Sequence, residues 1–174
     1  MKKIILFLFT TSFLFAQDCK YKINEIDEFT KNKILETKPE ILTISGMGFG
    51  FTSGCSLKKI NDSRYLQLGI SSPSIFTLNE GNEIIFKTEK DETIVLTFPK
   101  TIISDYISGN NIGNSSTPSR WSGTILIPIS IENFERLKNE LVTKLRIYTN
   151  ENYIDDDISK KRAVKFKNAM NCIN

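Results

Sequence analysis

Short runs of alternating apolar and polar residues occupy most of the chain, and each run ends near Gly, Asn, Asp or Pro. Alternation with a period of two is typical of strands that bury one face of a sheet. Residues 65–70 and 84–86 show this pattern most clearly. Residues 83–87 and 93–98 are joined by a polar link at residues 89–92, which predicts an antiparallel hairpin. The chain is therefore expected to be rich in antiparallel strands.

Helical periodicity begins only in the last third of the chain. Ser130 is a typical N-cap residue for a helix over residues 131–141. Residues 159–172 place Ala163 and Phe166 on one apolar stripe and the lysines elsewhere, which predicts a second, amphipathic helix. We therefore predict an α+β fold: a mainly antiparallel, sandwich-like β-sheet with two late helices, the last packing on the sheet.

The N-terminus has the pattern of a cleavable secretory signal peptide. Lys2 and Lys3 precede an apolar run that ends near the small residue Ala16. The run is shorter than the roughly 20 apolar residues that span a bilayer. We expect a signal peptide over residues 1–16 and a single exported globular domain over residues 17–174. That domain would be secreted or periplasmic, with no transmembrane segment in the mature chain.

The charge balance argues against a nucleic-acid partner. The chain carries a formal net charge of +3, and loss of Lys2 and Lys3 with the signal peptide would leave +1. Binding to nucleic acid needs many basic residues on one face. The densest basic cluster, in residues 160–167, is expected to be a solvated face that also complements the C-terminal end of its helix dipole.

Three cysteines follow the predicted signal peptide, so three pairings are possible and one thiol is left over. An exported compartment permits a disulfide. Cys19 and Cys172 stand near the two ends of the predicted domain, and the ends of a domain often lie close together. We therefore predict a Cys19–Cys172 disulfide. Cys55 is then expected to be a small, buried, unpaired residue.

The chain contains no histidine. This excludes Ser-His-Asp and Cys-His catalysis and every zinc site that uses histidine. Three cysteines do not form a four-thiolate zinc site, and no activating base for Cys55 is recognisable in the sequence. We therefore expect no bound metal and no cofactor, and the sequence favours a non-enzymatic role over an enzymatic one without deciding between them.

Two motifs have a functional and a structural interpretation. The glycine-rich segment G-M-G-F-G-F-T-S-G at residues 46–54 lacks the Gly-Lys-Ser/Thr of a phosphate-binding loop, so we expect a bend, a bulge or a close backbone approach. Asp155, Asp156 and Asp157 lack the spacing of a calcium loop. We expect these acids to support the first turn of the last helix, where they would favour its dipole.

A long polar segment at residues 108–119 is the best candidate for a binding loop, because it is too polar to be core. Trp121 follows it and would either stack on a sugar, anchor a partner or join the core. The predicted ligand- or partner-binding residues are those of the loop and its C-terminal flank: Asn110, Asn111, Asn114, Arg120 and Trp121.

Both ends of the predicted domain resemble a group of known sequences. The opening C-K-Y-K-I-N-E-I-D-E-F-T and the ending that runs from T-K-L-R-I-Y-T to N-A-M-N-C-I are similar to those of small exported bacterial proteins of unassigned function. The resemblance implies an exported single domain with cysteines near both ends. It supplies no catalytic residue to transfer.

The sequence favours an exported, non-enzymatic binding or interaction domain that contacts an unknown protein or small ligand in the cell envelope. One alternative is a small envelope hydrolase that uses carboxylates or a Ser-Lys pair; it predicts that an Asp/Glu pair converges in a cleft. A second alternative is a structural or assembly component of the envelope, which predicts stable oligomers.

Overall fold

The computed structural model describes residues 19–46, 50–109, 111–112, 115–116 and 118–174. The predicted signal peptide lies outside the described residues. The strands are β1 (Tyr21–Ile26), β2 (Lys33–Thr37), β3 (Glu40–Ile44), β4 (Thr52–Ile60), β5 (Ser63–Ser72), β6 (Thr77–Leu78), β7 (Glu83–Thr88), β8 (Thr93–Thr97), β9 (Ile102–Ile103), β10 (Asp105–Ile107), β11 (Asn111–Ile112), β12 (Ser115–Ser116), β13 (Arg120–Ile129), β14 (Val142–Tyr148) and β15 (Tyr153–Asp157). The helices are α1 (Ile131–Asn139) and α2 (Lys160–Cys172).

Two antiparallel sheets form the body of the fold. The large sheet has the order β1-β2-β4-β5-β13-β10, and β3 pairs with β4 beyond the end of β2. The small sheet has the order β15-β14-β7-β8 and contains the predicted hairpin, β7 with β8. Two short pairs, β6 with β9 and β11 with β12, lie outside these sheets.

The core lies between the inner faces of the two sheets. Buried apolar residues alternate with more exposed ones along much of the central strands, as in Leu66 and Leu68 of β5 and Ile84 and Phe86 of β7. This alternation places the buried apolar residues of a strand on one face, so burial of that face fixes the register. The predicted α+β class with mainly antiparallel, sandwich-like sheets is confirmed.

Both predicted helices are present. The hydroxyl of Ser130 accepts a hydrogen bond from the backbone N–H of Asn133 at 3.2 Å, which is the predicted N-cap of α1. This helix ends at Asn139, before the predicted residue 141, because Glu140 is already extended and leads into β14. Helix α2 packs on the strands as predicted. No helix in the described part of the chain has the length and apolarity needed to cross a bilayer.

The disulfide prediction is confirmed. Cys19 and Cys172 are bonded, with their Cα atoms 5.5 Å apart, although 153 positions separate them in the sequence. The Tyr21 hydroxyl also donates a hydrogen bond to the carbonyl oxygen of Cys172 at 2.8 Å. Two contacts therefore fasten the start of β1 to the end of α2.

The glycine-rich segment includes the close backbone approach that the sequence indicated. A Cβ atom at Gly54 would lie 3.1 Å from the carbonyl oxygen of Glu40, on the neighbouring strand β3. A side chain at this position would push β3 and β4 apart. Residues 47–49 lie outside the described part of the chain, so Phe49 is not placed.

Two predictions about the end of the chain are wrong. Asp155, Asp156 and Asp157 belong to strand β15, and the first turn of the described helix α2 contains no acidic residue. Pairing of β15 with β14 overrides the local preference of acids for a helix start, because Lys144 and Arg146 face Asp157 and Asp155 across the two strands.

The basic cluster of residues 160–167 was predicted to complement the C-terminal end of its helix, but it starts at the N-terminal end of α2. It begins in the first turn of α2, whereas the last turn of this described helix has no basic residue. The cluster therefore adds to the positive end of the helix dipole and does not complement the negative end.

Candidate functional site

Several chain connections leave the large sheet at the same end. In the strand register, Thr52 pairs with Ser71, Ser72 pairs with Trp121, and Trp121 pairs with Tyr106. The turn before β4, the segment after β5 and the predicted binding loop between β10 and β13 therefore share this end. We call it the loop end.

Trp121 belongs partly to the core and partly to the surface. It is half-buried, packs against the hydrophobic core and lies on the same side of β13 as the core residue Ile125. Its ring meets Tyr106 edge-on, with 5.4 Å between the ring centroids and an interplanar angle of 64°. Because Tyr106 is exposed, the pair extends the core to the surface of the loop end.

Arg120 forms hydrogen bonds with two of these chain connections. Its Nε donates to the Ser71 hydroxyl at 2.6 Å, and its Nη2 donates to the carbonyl oxygens of Ser71, at 3.0 Å, and of Gly50. The planar guanidinium group suits such a multiple contact, because its donors point in fixed directions. Arg120 therefore fixes the first residue of β13 to the end of β5 and to the turn before β4.

The three predicted asparagines are placed only in part. Asn110 and Asn114 lie outside the described residues. Asn111 lies in β11, and its backbone pairs with Ser116 of β12. At the base of the loop, the Gly109 N–H donates to the Ser119 hydroxyl at 3.2 Å. Of the five predicted binding residues, Arg120 and Trp121 occupy consecutive positions of β13, and strand alternation turns their side chains to opposite faces of the large sheet.

The most exposed apolar residues of the loop end were missed by sequence reasoning. Their exposed fractions are 54% for Ile75, 66% for Ile103, 58% for Tyr106 and 54% for Ile107. In the sequence they look like the buried positions of short strands. Four bulky apolar residues that remain exposed in neighbouring segments are typical of a contact surface.

A groove of about 570 Å³ runs beside these residues, between the edge of β13 and the strand pair β6–β9. It forms because Ile102 and Ile103 pair with β6, whereas β10 pairs with only the first residues of β13. Gly123 permits this arrangement, since a Cβ atom there would lie 3.3 Å from the ring of Phe76. Ile103 and Ile107 line the groove together with Asp105, Ser122 and Thr124.

Comparison with protein-family models, curated proteins and solved structures gives no match for this chain. A functional proposal for this chain therefore depends on the geometry of the molecule.

Two of the three acidic residues of β15 are engaged in ion pairs with β14. Asp155 accepts two hydrogen bonds of 2.6 Å from Arg146, which hold the pKa of its carboxyl group below the ordinary value. Asp157 pairs with Lys144 at 3.3 Å. Burial raises the pKa of Asp156, but strand alternation turns this residue toward the opposite face. The described residues also contain no cluster of three or more His, Cys, Asp or Glu that could hold a metal ion.

Cys55 is buried in the large sheet, as expected of a structural cysteine. Burial, and to a smaller extent the charge of Glu40, raises the pKa of its thiol far above the ordinary value. The reactive species of cysteine is the thiolate, so the native thiol is a poor nucleophile.

We expect Cys55 to resist iodoacetamide in the native protein and to react completely in urea. Intact mass and peptide mapping after a short treatment at pH 8 would measure this, with the disulfide left oxidised as an internal control. Rapid alkylation of native Cys55 would contradict the buried, protonated state.

Proposed function

We propose that this chain is an exported, non-enzymatic interaction domain that binds a protein partner of the cell envelope through its loop end. The observation that carries the proposal is the exposure of apolar residues at the loop end: Ile103 and Ile107 line the groove, and Ile75 and Tyr106 lie in neighbouring segments. Aliphatic side chains offer no hydrogen bonds to the hydroxyl groups of a glycan. They match the apolar centre of a protein interface.

The framework of the loop end supports the proposal, because a rigid surface loses little entropy on binding. Arg120 joins three backbone segments, and the contact of Trp121 with Tyr106 anchors the exposed ring to the core. The loop that contains Asn110, Asn111 and Asn114 would supply the polar rim of such an interface.

We expect the double substitution Ile103→Ser and Ile107→Ser to weaken partner binding by about 10-fold or more, since each buried anchor in an interface contributes more than about 1 kcal/mol. Both side chains are already exposed, so folding should be preserved. The measurement is cross-linked affinity capture of the tagged protein from its own cell envelope, with quantitative mass spectrometry of wild type and variant.

The matched control is Ile26→Ser with Phe29→Ser, which removes two exposed apolar residues at the opposite end of the large sheet. Capture should be unchanged in this control. Equal recovery of the partner with both variants would contradict the proposal. Recovery of the same chain in a stable oligomer that only the first variant disrupts would favour the assembly alternative.

A further inference from the structure

A second surface, separate from the loop end, carries a concentration of positive charge. Two adjoining grooves of about 320 and 550 Å³ lie along α2 and share the ion pair of Lys165 with Glu40, whose Nζ–Oε2 distance is 2.8 Å. We call them together the basic groove. The cations that line the basic groove are Lys20, Lys38, Lys161, Arg162 and Lys165.

These cations come from three separate parts of the chain. Lys20 precedes β1 and is held beside the end of α2 by the disulfide of its neighbour Cys19. Lys38 belongs to the connection between β2 and β3, and the others belong to α2. The basic groove is therefore a product of the tertiary structure and extends beyond the charged run of one helix.

Few acids oppose this charge. Glu40 is the one acidic residue among the described residues that line the basic groove, and no carboxylate of the described chain lies within 4 Å of the amine of Lys20, Lys38 or Lys161. Asp156 of β15 also lies close enough to Arg162 for the two charges to interact. The outer face of the small sheet differs, because Lys87, Lys144 and Arg146 there each have an acidic partner.

The net positive charge of the chain is concentrated in the basic groove. The chain has 23 basic and 20 acidic residues, a net charge of +3. The lining of the basic groove has five basic residues and one acidic residue, a net charge of +4. The remaining residues therefore sum to −1. The start of α2 adds the positive end of its dipole, with no acid in the first turn of this described helix to offset it.

We propose that the basic groove binds a phosphate-bearing ligand. Several amines around a concave surface fit an anion with more than one negative charge, and phosphoryl oxygens accept hydrogen bonds from lysine and arginine together. The shared chemistry is the phosphoryl group, whether it belongs to a free phosphate compound or to the headgroup of an anionic phospholipid. Bound phosphate would supply anionic partners for these cations.

Two measurements on the disulfide-intact protein at low ionic strength test the proposal and distinguish the two sources. Calorimetric titration with inorganic pyrophosphate reports a free ligand. Co-sedimentation with vesicles of phosphatidylglycerol and phosphatidylcholine, against phosphatidylcholine alone, reports a headgroup. Binding in either measurement supports the proposal and names the source, and absence of binding in both overturns it.

Variants separate the basic groove from general charge effects. Lys161→Gln with Lys165→Gln should weaken binding by about 10-fold or more, because charge-assisted contacts are the strongest hydrogen bonds. Lys33→Gln with Lys100→Gln removes the same charge elsewhere and should change binding less than about 2-fold, because screening weakens distant charges. Glu40→Gln, which removes the acid, should tighten binding. Equal loss in both lysine pairs, or weaker binding by Glu40→Gln, would overturn the proposal.

Discussion

Replacement of both Cys19 and Cys172 by serine is expected to lower the free energy of unfolding by about 4 to 5 kcal/mol. The disulfide closes a loop of 153 positions, and in the chain-entropy model the stabilisation grows with the logarithm of the loop length. A loop that encloses nearly the whole domain restricts the unfolded chain strongly. The loss should appear in urea unfolding as a lower midpoint.

The structure adds a local reason for the same loss. Without the bond, the hydrogen bond from the Tyr21 hydroxyl still joins β1 to the end of α2, but an isolated hydrogen bond contributes only about 0.5 to 1.5 kcal/mol. Reductant added to the wild type should reproduce the effect of the two substitutions. The control is Cys55→Ala, which leaves the bond intact and should lose stability with reductant as the wild type does, whereas the double serine variant should be insensitive to reductant. An unchanged midpoint in the double serine variant would contradict the prediction.

The elements of the fold were predictable where the pattern is local. The hairpin of β7 and β8 follows from apolar alternation on both sides of a polar turn, and Ser130 alone marks the start of α1. The order of the large sheet was not predictable in this way. Strand β13 pairs with β5 across a long intervening segment that forms the small-sheet hairpin, and burial of the shared core decides that pairing.

The residues of the candidate site were likewise predictable only in part. Trp121 and Arg120 stand out by residue type and by their position after a polar segment, and the structure places both at the loop end. Ile103 and Ile107 did not stand out, because an exposed isoleucine and a buried one are identical in sequence. The exposure of Ile103 depends on the pairing of β9 with β6, and Ile107 is exposed on β10, the edge strand of the large sheet.

The basic groove was also beyond sequence reasoning. The charged run in α2 was visible, but Lys20 and Lys38 reach it only through the disulfide and the packing of α2 on β3. Two of the acids that seemed able to neutralise the start of α2, Asp155 and Asp157, instead pair with cations of β14. A helix-start preference of a few tenths of a kcal/mol to about 1 kcal/mol per charge does not outweigh a complete strand pairing.

Substitution of Phe86 or Phe166 by alanine is expected to lower the free energy of unfolding by about 3 to 5 kcal/mol in each case. The two rings stack with 5.6 Å between centroids and an interplanar angle of 16°, and both are fully buried. Phe86 belongs to the small sheet and Phe166 to α2, so this contact joins the last helix to the sheet. Either truncation removes apolar contact and leaves a cavity that the surrounding strands fill only in part.

A double-mutant cycle measured by urea unfolding separates the contact from the burial of each ring. The double variant should lose less than the sum of the single losses, by about 0.5 to 1.5 kcal/mol, because the stacking contact is removed only once. Phe29→Ala is the matched control: this ring is 95% exposed in the turn between β1 and β2, and its loss should change stability by less than about 0.5 kcal/mol. Strictly additive losses would show that the two rings are buried independently, and the attachment of α2 to the sheet would then rest on its other buried residues.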